Sequence, residues 1–213
     1  MSDARMPQSA SGRNHGAVAA VVLAAGDSTR LGQPKQLIPI AGRPALAYTL
    51  DALRRSSVDR IVLVLGHAAE EIKQAIDIDG LTIVENDAYA QGQSTSVLAG
   101  IRSLPADIGA ALMVVGDQPQ LSPMVVDALA AAYRETGGPF IVPLYEGEWG
   151  NPVLLARGTW QFLEGLKGDT GARPILRKNM DMVLELPVPG PAPDDIDTIE
   201  DYERARMRIE GAR

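Results

Sequence analysis

The sequence predicts a single α/β domain, three layers deep, with helices on both faces of a mostly parallel β-sheet. Three observations carry this. Apolar runs rich in β-branched residues recur at Val18 to Leu23, Arg60 to Leu65, Leu81 to Val84 and Ala110 to Val115. Segments with helical spacing of apolar residues separate them. Strands that are apolar on both sides need cover on both faces, which strand–helix alternation supplies.

Each element follows in order. Val18 to Leu23 is a buried strand ending in Ala24-Ala25-Gly26. Asp27 to Ile40 is too long for a hairpin turn and is rich in Gly, Pro and charge, which marks a working loop. Pro44 can open a helix, because its missing N–H is not needed in the first turn. Leu46, Leu50 and Leu53 carry that helix to about Ser57. Ala68 to Ile76 and Ser94 to Leu104 are the next two helices. After the fourth strand, Ser122 is the expected N-cap and Pro123 the first helical residue, with Gly137-Gly138 stopping the helix after Thr136. The second half is less regular. Short strands are expected at Phe140 to Pro143 and Val153 to Leu155, helices around Trp160 to Leu166 and after Gly171, a strand at Met182 to Leu186, and a charged helix from Asp201 to Ile209.

The 213 residues fit one domain. Met1 to Gly16 has no apolar core and is expected to be a flexible leader, leaving residues 17–213 as the folded unit. A content of 46% hydrophobic and 22% charged residues is that of an ordinary soluble protein. The net charge of −7 argues against nucleic acid as a partner, since a phosphate polyanion would be repelled. The absence of cysteine excludes disulfides, thiol nucleophiles and thiolate metal sites, and fits a cytoplasmic protein. No apolar run reaches the roughly 20 residues that span a bilayer.

In an open parallel sheet, ligands sit beyond the carboxyl ends of the strands. Two Gly-punctuated strand exits therefore draw attention. The first is Leu23-Ala24-Ala25-Gly26-Asp27-Ser28-Thr29-Arg30-Leu31-Gly32-Gln33-Pro34-Lys35-Gln36-Leu37. Its small residues let backbone N–H groups approach a base or phosphate. Arg30 adds a planar fork of donors and Lys35 a compact charge, both suited to a triphosphate. It is neither a Walker A loop nor G-x-G-x-x-G. The second exit is Gly116-Asp117-Gln118-Pro119, where Asp117 is either a turn cap or a hard oxygen ligand for Mg²⁺. Asp194-Asp195-Ile196-Asp197-Thr198 is a further acidic cluster. Thr198 and Asp201 have capping-box spacing, with Asp in place of the usual Glu or Gln. Gln91-Gly92-Gln93-Ser94-Thr95-Ser96 leads into a helix whose first N–H groups need partners.

These strings resemble a known family. The first is similar to the signature Leu-Ala-Ala/Gly-Gly-x-x-x-Arg-Met/Leu-Gly, then Lys, of the MobA-like NTP transferase superfamily, which includes the molybdenum-cofactor, sugar-phosphate and methylerythritol-phosphate nucleotidyltransferases. Gly150-Asn151-Pro152-Val153-Leu154-Leu155 and Gly168-Asp169-Thr170-Gly171-Ala172-Arg173 resemble the molybdenum-cofactor cytidylyltransferase (MocA-type) branch. The resemblance covers about Val18 to Tyr202. It implies a Rossmann-like fold of the nucleotide-diphospho-sugar transferase type and a Mg²⁺-dependent transfer of a nucleoside monophosphate, most like CMP from CTP, onto a phosphorylated acceptor such as molybdopterin-type cofactor. It implies that Arg30, Lys35 and Asp117 are catalytic, and that Arg30 and Lys35 hold the triphosphate. Leu23, Ala24, Ala25 and Gly26 would lie against the nucleotide, the last three through backbone. Gln93 and Ser96 would read base and ribose, with Gly92 giving access. Asp117 and Asp197 would hold the metal, with Asp195 the weaker second ligand. Asn151, Asp169 and Arg173 would face the acceptor, and the product would pass to a molybdoenzyme or its chaperone.

The sequence departs from that branch at Leu155, where Phe is common, and at Pro34-Lys35-Gln36, which is nearer the methylerythritol-phosphate enzymes. Ala24-Ala25 in place of Ala-Gly-Gly leans toward CTP over GTP. GMP transfer to molybdopterin, CMP transfer to a sugar or polyol phosphate, and a non-catalytic cofactor-binding protein remain the alternatives. A phosphate monoester is already nucleophilic at neutral pH, so the lack of Ser–His or Cys–His machinery is consistent with transfer chemistry.

Overall fold

A computed structural model describes residues 15–27 and 32–211. The expected leader falls largely outside the described residues, and so does Arg30.

One sheet organises the chain. Its strands are β1 (Ala17–Ala24), β4 (Arg60–Leu65), β5 (Leu81–Glu85), β6 (Ile108–Val115), β7 (Phe140–Tyr145), β9 (Val153–Ala156) and β10 (Val183–Val188). Their order across the sheet is β10-β7-β9-β6-β1-β4-β5, and a short β8 (Glu148–Trp149) pairs with β7. β1 lies inside the sheet, parallel to β4 and β6, with Ala24 opposite Leu65 and Leu23 opposite Val115. β9 runs antiparallel to both β6 and β7, which makes the sheet mixed. β2 (Pro39–Ile40) and β3 (Arg43–Pro44) form a separate two-stranded ribbon.

The three layers follow from the pleat of β1. Val18, Ala20, Val22 and Ala24 point to one face, where they meet Leu46, Leu50 and Leu53 of α1 (Ala45–Arg54), Ile72 of α2 (Ala69–Ala75) and Val126 and Leu129 of α4 (Pro123–Thr136). Ala19 and Val21 point to the other, against Val97 and Ile101 of α3 (Gln93–Arg102) and Ile175 and Leu176 of α5 (Arg173–Lys178). Alternate residues of one strand thus seed two cores. α6 (Ile199–Gly211) closes the chain, burying Ala205 beside Ile38, Ile40, Ala45 and Ile196. Among the described residues no helix is long and apolar enough to cross a membrane.

Several boundaries differ from the sequence reading for local reasons. α1 ends at Arg54, short of Ser57, because the Ser56 hydroxyl bonds back to the Leu53 carbonyl at 2.7 Å. Pro44 is extended (ψ 140°) and precedes the helix instead of opening it, since it is paired in β3. Ser122 occupies the N-cap of α4, but its side chain makes no capping bond; Pro123 and the left-handed Gly137 bound the helix as expected. The segment from Trp160 is a 3₁₀ helix over Arg157–Gly165, not an α-helix. The Asp27 to Ile40 loop contains a 3₁₀ turn at Lys35–Leu37 and then β2.

The Thr198–Asp201 capping box is realised. Asp201 Oδ2 accepts from the Thr198 N–H and hydroxyl, each at 2.8 Å, and the Asp201 N–H donates back to the Thr198 hydroxyl at 3.2 Å. The bond from the Thr198 hydroxyl, with the backbone bonds and Arg204, holds the Asp201 carboxyl below its usual range.

Candidate active site

The carboxyl ends of β1 and β6 are adjacent, and the Gly116 N–H donates to the Leu23 carbonyl at 2.9 Å. A cleft of about 700 Å³ opens there. Its lining includes Leu23, Ala25, Gly26, Lys35 and Gln36 from β1 and the loop after it, and Asn151, Asp169 and Arg173 from the second half of the chain. Asp117, Asp195 and Asp197 line it close to one another, and Gln93 and Ser96 enter from the start of α3.

Lys35 is the hub. Its ammonium forms an ion pair with Asp117 Oδ2 and reaches Asp197 Oδ1 at 3.0 Å. Burial alone would lower the Lys35 pKa, but Asp117 and then Asp197 outweigh that and hold it above its ordinary value. Lys35 is therefore charged at neutral pH. Residues 35, 117 and 197 come from three separated parts of the chain, so only the fold assembles them. Asp195 is placed differently: Gln118 donates to it at 2.8 Å, while burial and the nearby Asp117 push its carboxyl above the usual range.

Asp117 Oδ1 is buried and has no hydrogen-bond partner among the described residues. A buried carboxylate oxygen without a donor is costly. It fits a divalent cation, which needs one or two protein carboxylates plus phosphate oxygens and water. The donor set is all oxygen, which suits Mg²⁺ or Mn²⁺ over softer metals. No three His, Cys, Asp or Glu side chains converge as a closed metal cage among the described residues. A cation here would thus depend on substrate phosphates to complete its shell.

Of the expected residues that are described, all but Ala24 line this cleft. Ala24 turns its side chain into the core, and its carbonyl accepts from Gln36 Nε2 at 3.1 Å. Arg30 lies outside the described residues. Ser96 lines the cleft and also accepts from Asn86 Nδ2 at 2.9 Å. Among the lining residues that the sequence reading gave no site role are the polar side chains Asp27, Gln36 and Tyr89. Gln36 follows Lys35 and is buried, a polar residue tied to β1, which adjacency to a motif lysine hinted at. Nothing in the sequence signals Tyr89, which is brought in by the turn before Gly92.

Gly92 joins the two halves of the cleft. Its φ is +109° with ψ 168°, a region essentially reserved for glycine. A Cβ there would sit 2.2 Å from the Gly168 carbonyl carbon, and the Ser94 N–H donates to the Gly168 carbonyl at 3.1 Å. The loop that enters α3 is thus docked directly on the loop carrying Asp169. Gly92→Ala should cost about 1–3 kcal/mol of stability from backbone strain. It should also displace Asp169 and, with the acceptor role proposed for that residue, lower acceptor-side kcat/KM by up to roughly 100-fold. Separate KM values for nucleotide and acceptor, with a thermal melt, check this; an unchanged acceptor KM would contradict the coupling.

Asn151 is held from behind. The Tyr145 hydroxyl donates to its carbonyl at 3.2 Å, and Gly150 lies flush on the Tyr145 ring. Burial pushes the Tyr145 pKa up to about 12. The folded protein keeps a proton that the unfolded chain loses at its lower, ordinary pKa of 10. Stability from this group is therefore complete below pH 10 and is lost as pH rises toward 12, a fall of roughly 2–3 kcal/mol. Urea unfolding from pH 8 to 12 should show this alkaline limb in the wild type and a shallower one in Tyr145→Phe; parallel curves would contradict it.

Comparison with known proteins agrees with this architecture. A model of the MobA-like NTP transferase domain matches residues 20–183. The purine catabolism protein PucB of Bacillus subtilis is 34% identical over 203 residues, covering 89% of this chain and 96% of that protein. The crystal structure of an Rv0371c homologue from Mycobacterium sp. strain JC1 superposes with a TM-score of 0.84 at 32% identity, covering 94% of this chain and 100% of that one. Rv0371c of Mycobacterium tuberculosis, solved in complex with manganese, gives 0.76 at 31% identity, covering 89% and 97%. With the family match covering residues 20–183, which carry all of the cleft lining except Asp195 and Asp197, the chain belongs to the MobA-like NTP transferase family and is a nucleotidyltransferase.

Proposed function

We propose that the protein transfers CMP from CTP to a phosphorylated small molecule, a molybdopterin-type molybdenum cofactor, and releases pyrophosphate. The observation that carries this reading is the ion-paired group of Lys35, Asp117 and Asp197 in a single cleft that Asn151, Asp169 and Arg173 also line. A space of about 700 Å³ is large enough for a nucleotide and an acceptor to lie end to end. CTP is favoured by Ala24-Ala25 at the first strand exit, and the acceptor by the strings around Asn151 and Arg173.

In this reading the acceptor phosphate oxygen attacks the α-phosphorus in line. The new P–O bond forms as the bond to the β-phosphate oxygen breaks, and pyrophosphate leaves with the electron pair. Mg²⁺, held by Asp117 and Asp197, supplies Lewis-acid charge neutralisation; the manganese in the Rv0371c structure is consistent with a divalent ion in a relative. Lys35 and Arg30 bind the triphosphate and offset the charge that builds on the leaving group. The backbone of Ala25 and Gly26, with Gln93 and Ser96, positions base and ribose. Arg173 pairs with the acceptor phosphate, and Asn151 and Asp169 orient it. Catalysis is then positioning plus electrostatics. The product would be handed to a molybdoenzyme or its chaperone.

The test is pyrophosphate release by purified protein with Mg²⁺, with CTP, GTP, ATP and UTP each scanned against molybdopterin-type cofactor and a panel of sugar and polyol phosphates. Release with CTP and the molybdenum cofactor alone is the expected result. Release with another pair overturns the proposed donor or acceptor while leaving the site residues in play.

A further inference from the structure

The family match ends at residue 183, yet Asp195 and Asp197 both reach the cleft. A clasp from the loop after β6 brings them there. Gln118 is 4% exposed and donates from Nε2 to Asp195 Oδ1 at 2.8 Å. Its own carbonyl accepts from the hydroxyl of fully buried Thr49 at 3.1 Å, which fixes the backbone of Gln118 against α1. The Asp117 carbonyl accepts from the Ile196 N–H at 3.2 Å. Two residues on, Gln120 Oε1 accepts from the Asp194 N–H at 2.9 Å, and its Nε2 donates to Asp194 Oδ2 at 3.4 Å. Residues 117, 118 and 120 thus grip residues 196, 195 and 194, and Asp197 is next in line.

We propose that Gln118, assisted by Gln120, is a positioning residue: its grip on Asp194 to Ile196 sets the Asp197 carboxylate against Asp117 and so sets the affinity for the divalent cation. This rests on the reading of Asp117 and Asp197 as the cation's ligands. The chemistry of the grip is specific. Asp195 presents an acceptor, so the facing side chain must donate while staying neutral inside a cluster of three carboxylates. Glutamine does both. A carboxylate there would repel Asp195, and an apolar side chain would remove the donor that holds the Asp195 carboxylate in place. Groups that orient metal ligands from behind are worth 10- to 100-fold in metal affinity.

The experiment is Mn²⁺ binding followed by electron paramagnetic resonance in the presence of CTP, with the Mn²⁺ dependence of turnover measured alongside. Gln118→Leu and Gln118→Glu should each weaken Mn²⁺ binding by about 10-fold or more. Their kcat at saturating Mn²⁺ should return toward wild type, which a general loss of structure would not allow. Gln118→Glu combined with Asp195→Asn exchanges donor and acceptor at unchanged net charge, and should regain most of the lost affinity. If the double variant binds no better than Gln118→Glu alone, or if the single variants bind Mn²⁺ as the wild type does while Asp117→Asn does not, the positioning role is overturned and the cation reading stands. If Asp117→Asn and Asp197→Asn also bind as wild type, the cation reading itself fails. Should Gln118→Leu not fold, the exchange pair still decides.

Discussion

Asp117→Asn should lower kcat for nucleotidyl transfer by roughly 1,000-fold or more, which corresponds to the loss of about 4 kcal/mol of transition-state charge stabilisation. The argument is local. Asp117 leaves the end of β6 with its side chain mostly buried, one oxygen on Lys35 and the other without a hydrogen-bond partner among the described residues. Asparagine keeps the size and one acceptor but removes the charge that would hold a cation. The fold should tolerate the change, because β6 is pinned between β1 and β9 by backbone pairing that the side chain does not enter. A thermal melt within a few degrees of wild type, together with lost turnover and lost Mn²⁺ binding, is the expected set. A folded variant that turns over near the wild-type rate would remove Asp117 from the chemistry.

Lys35→Met should act on stability and on catalysis at once. Methionine keeps the length of the stem and deletes the charge between Asp117 and Asp197. Those carboxylates, with Asp195 close by, then face one another without a counter-charge. Removing one partner of a partly buried ion pair is expected to cost about 1–3 kcal/mol here, less than for a fully buried pair. Added Mn²⁺ should recover part of that loss, because a cation bound between the carboxylates replaces the missing charge. Turnover should not recover with it. On the proposed function the ammonium that would meet the triphosphate is gone, and kcat/KM for CTP should stay lower by roughly 100- to 1,000-fold. Melting curves with and without Mn²⁺, beside pyrophosphate release, separate the two effects. An unchanged kcat/KM would take Lys35 out of the site.

Much of the fold was legible because its signals are local. The four strands of the first half, β1, β4, β5 and β6, are largely apolar runs, and their length, β-branching and flanking Gly distinguish them from buried helix. The helices between them carry apolar residues at helical spacing, so strand–helix alternation and a covered parallel sheet follow. The second half was less legible. β9 enters the sheet antiparallel between β6 and β7, and nothing in Val153 to Leu155 states which neighbours it will have. The ribbon of β2 and β3 was hidden in a loop because two-residue strands leave no periodicity to read. The 3₁₀ helix at Arg157–Gly165 presents the same apolar spacing as an α-helix over so short a run.

For the site, the sequence by itself determined the chemistry on offer. It placed a lysine after a Gly-rich strand exit and aspartates at a second exit and in a late acidic string. It also determined two cores, because alternate apolar residues of β1 must face opposite sides of a strand. The tertiary structure alone decided which of these groups meet. Lys35, Asp117 and Asp197 are 82 and 162 residues apart in pairs that touch. Their meeting depends on β1 and β6 lying side by side and on Gln118 and Gln120 gripping the segment before Asp197. The glycine at 92 shows the same division. A turn before a helix explains a glycine from sequence, but the backbone of Gly168 lying where its Cβ would be is visible only in the fold. Local sequence sets propensity and charge over a few residues. Contacts across a hundred residues are fixed by how strands order within a sheet, and that order is a property of the packed whole.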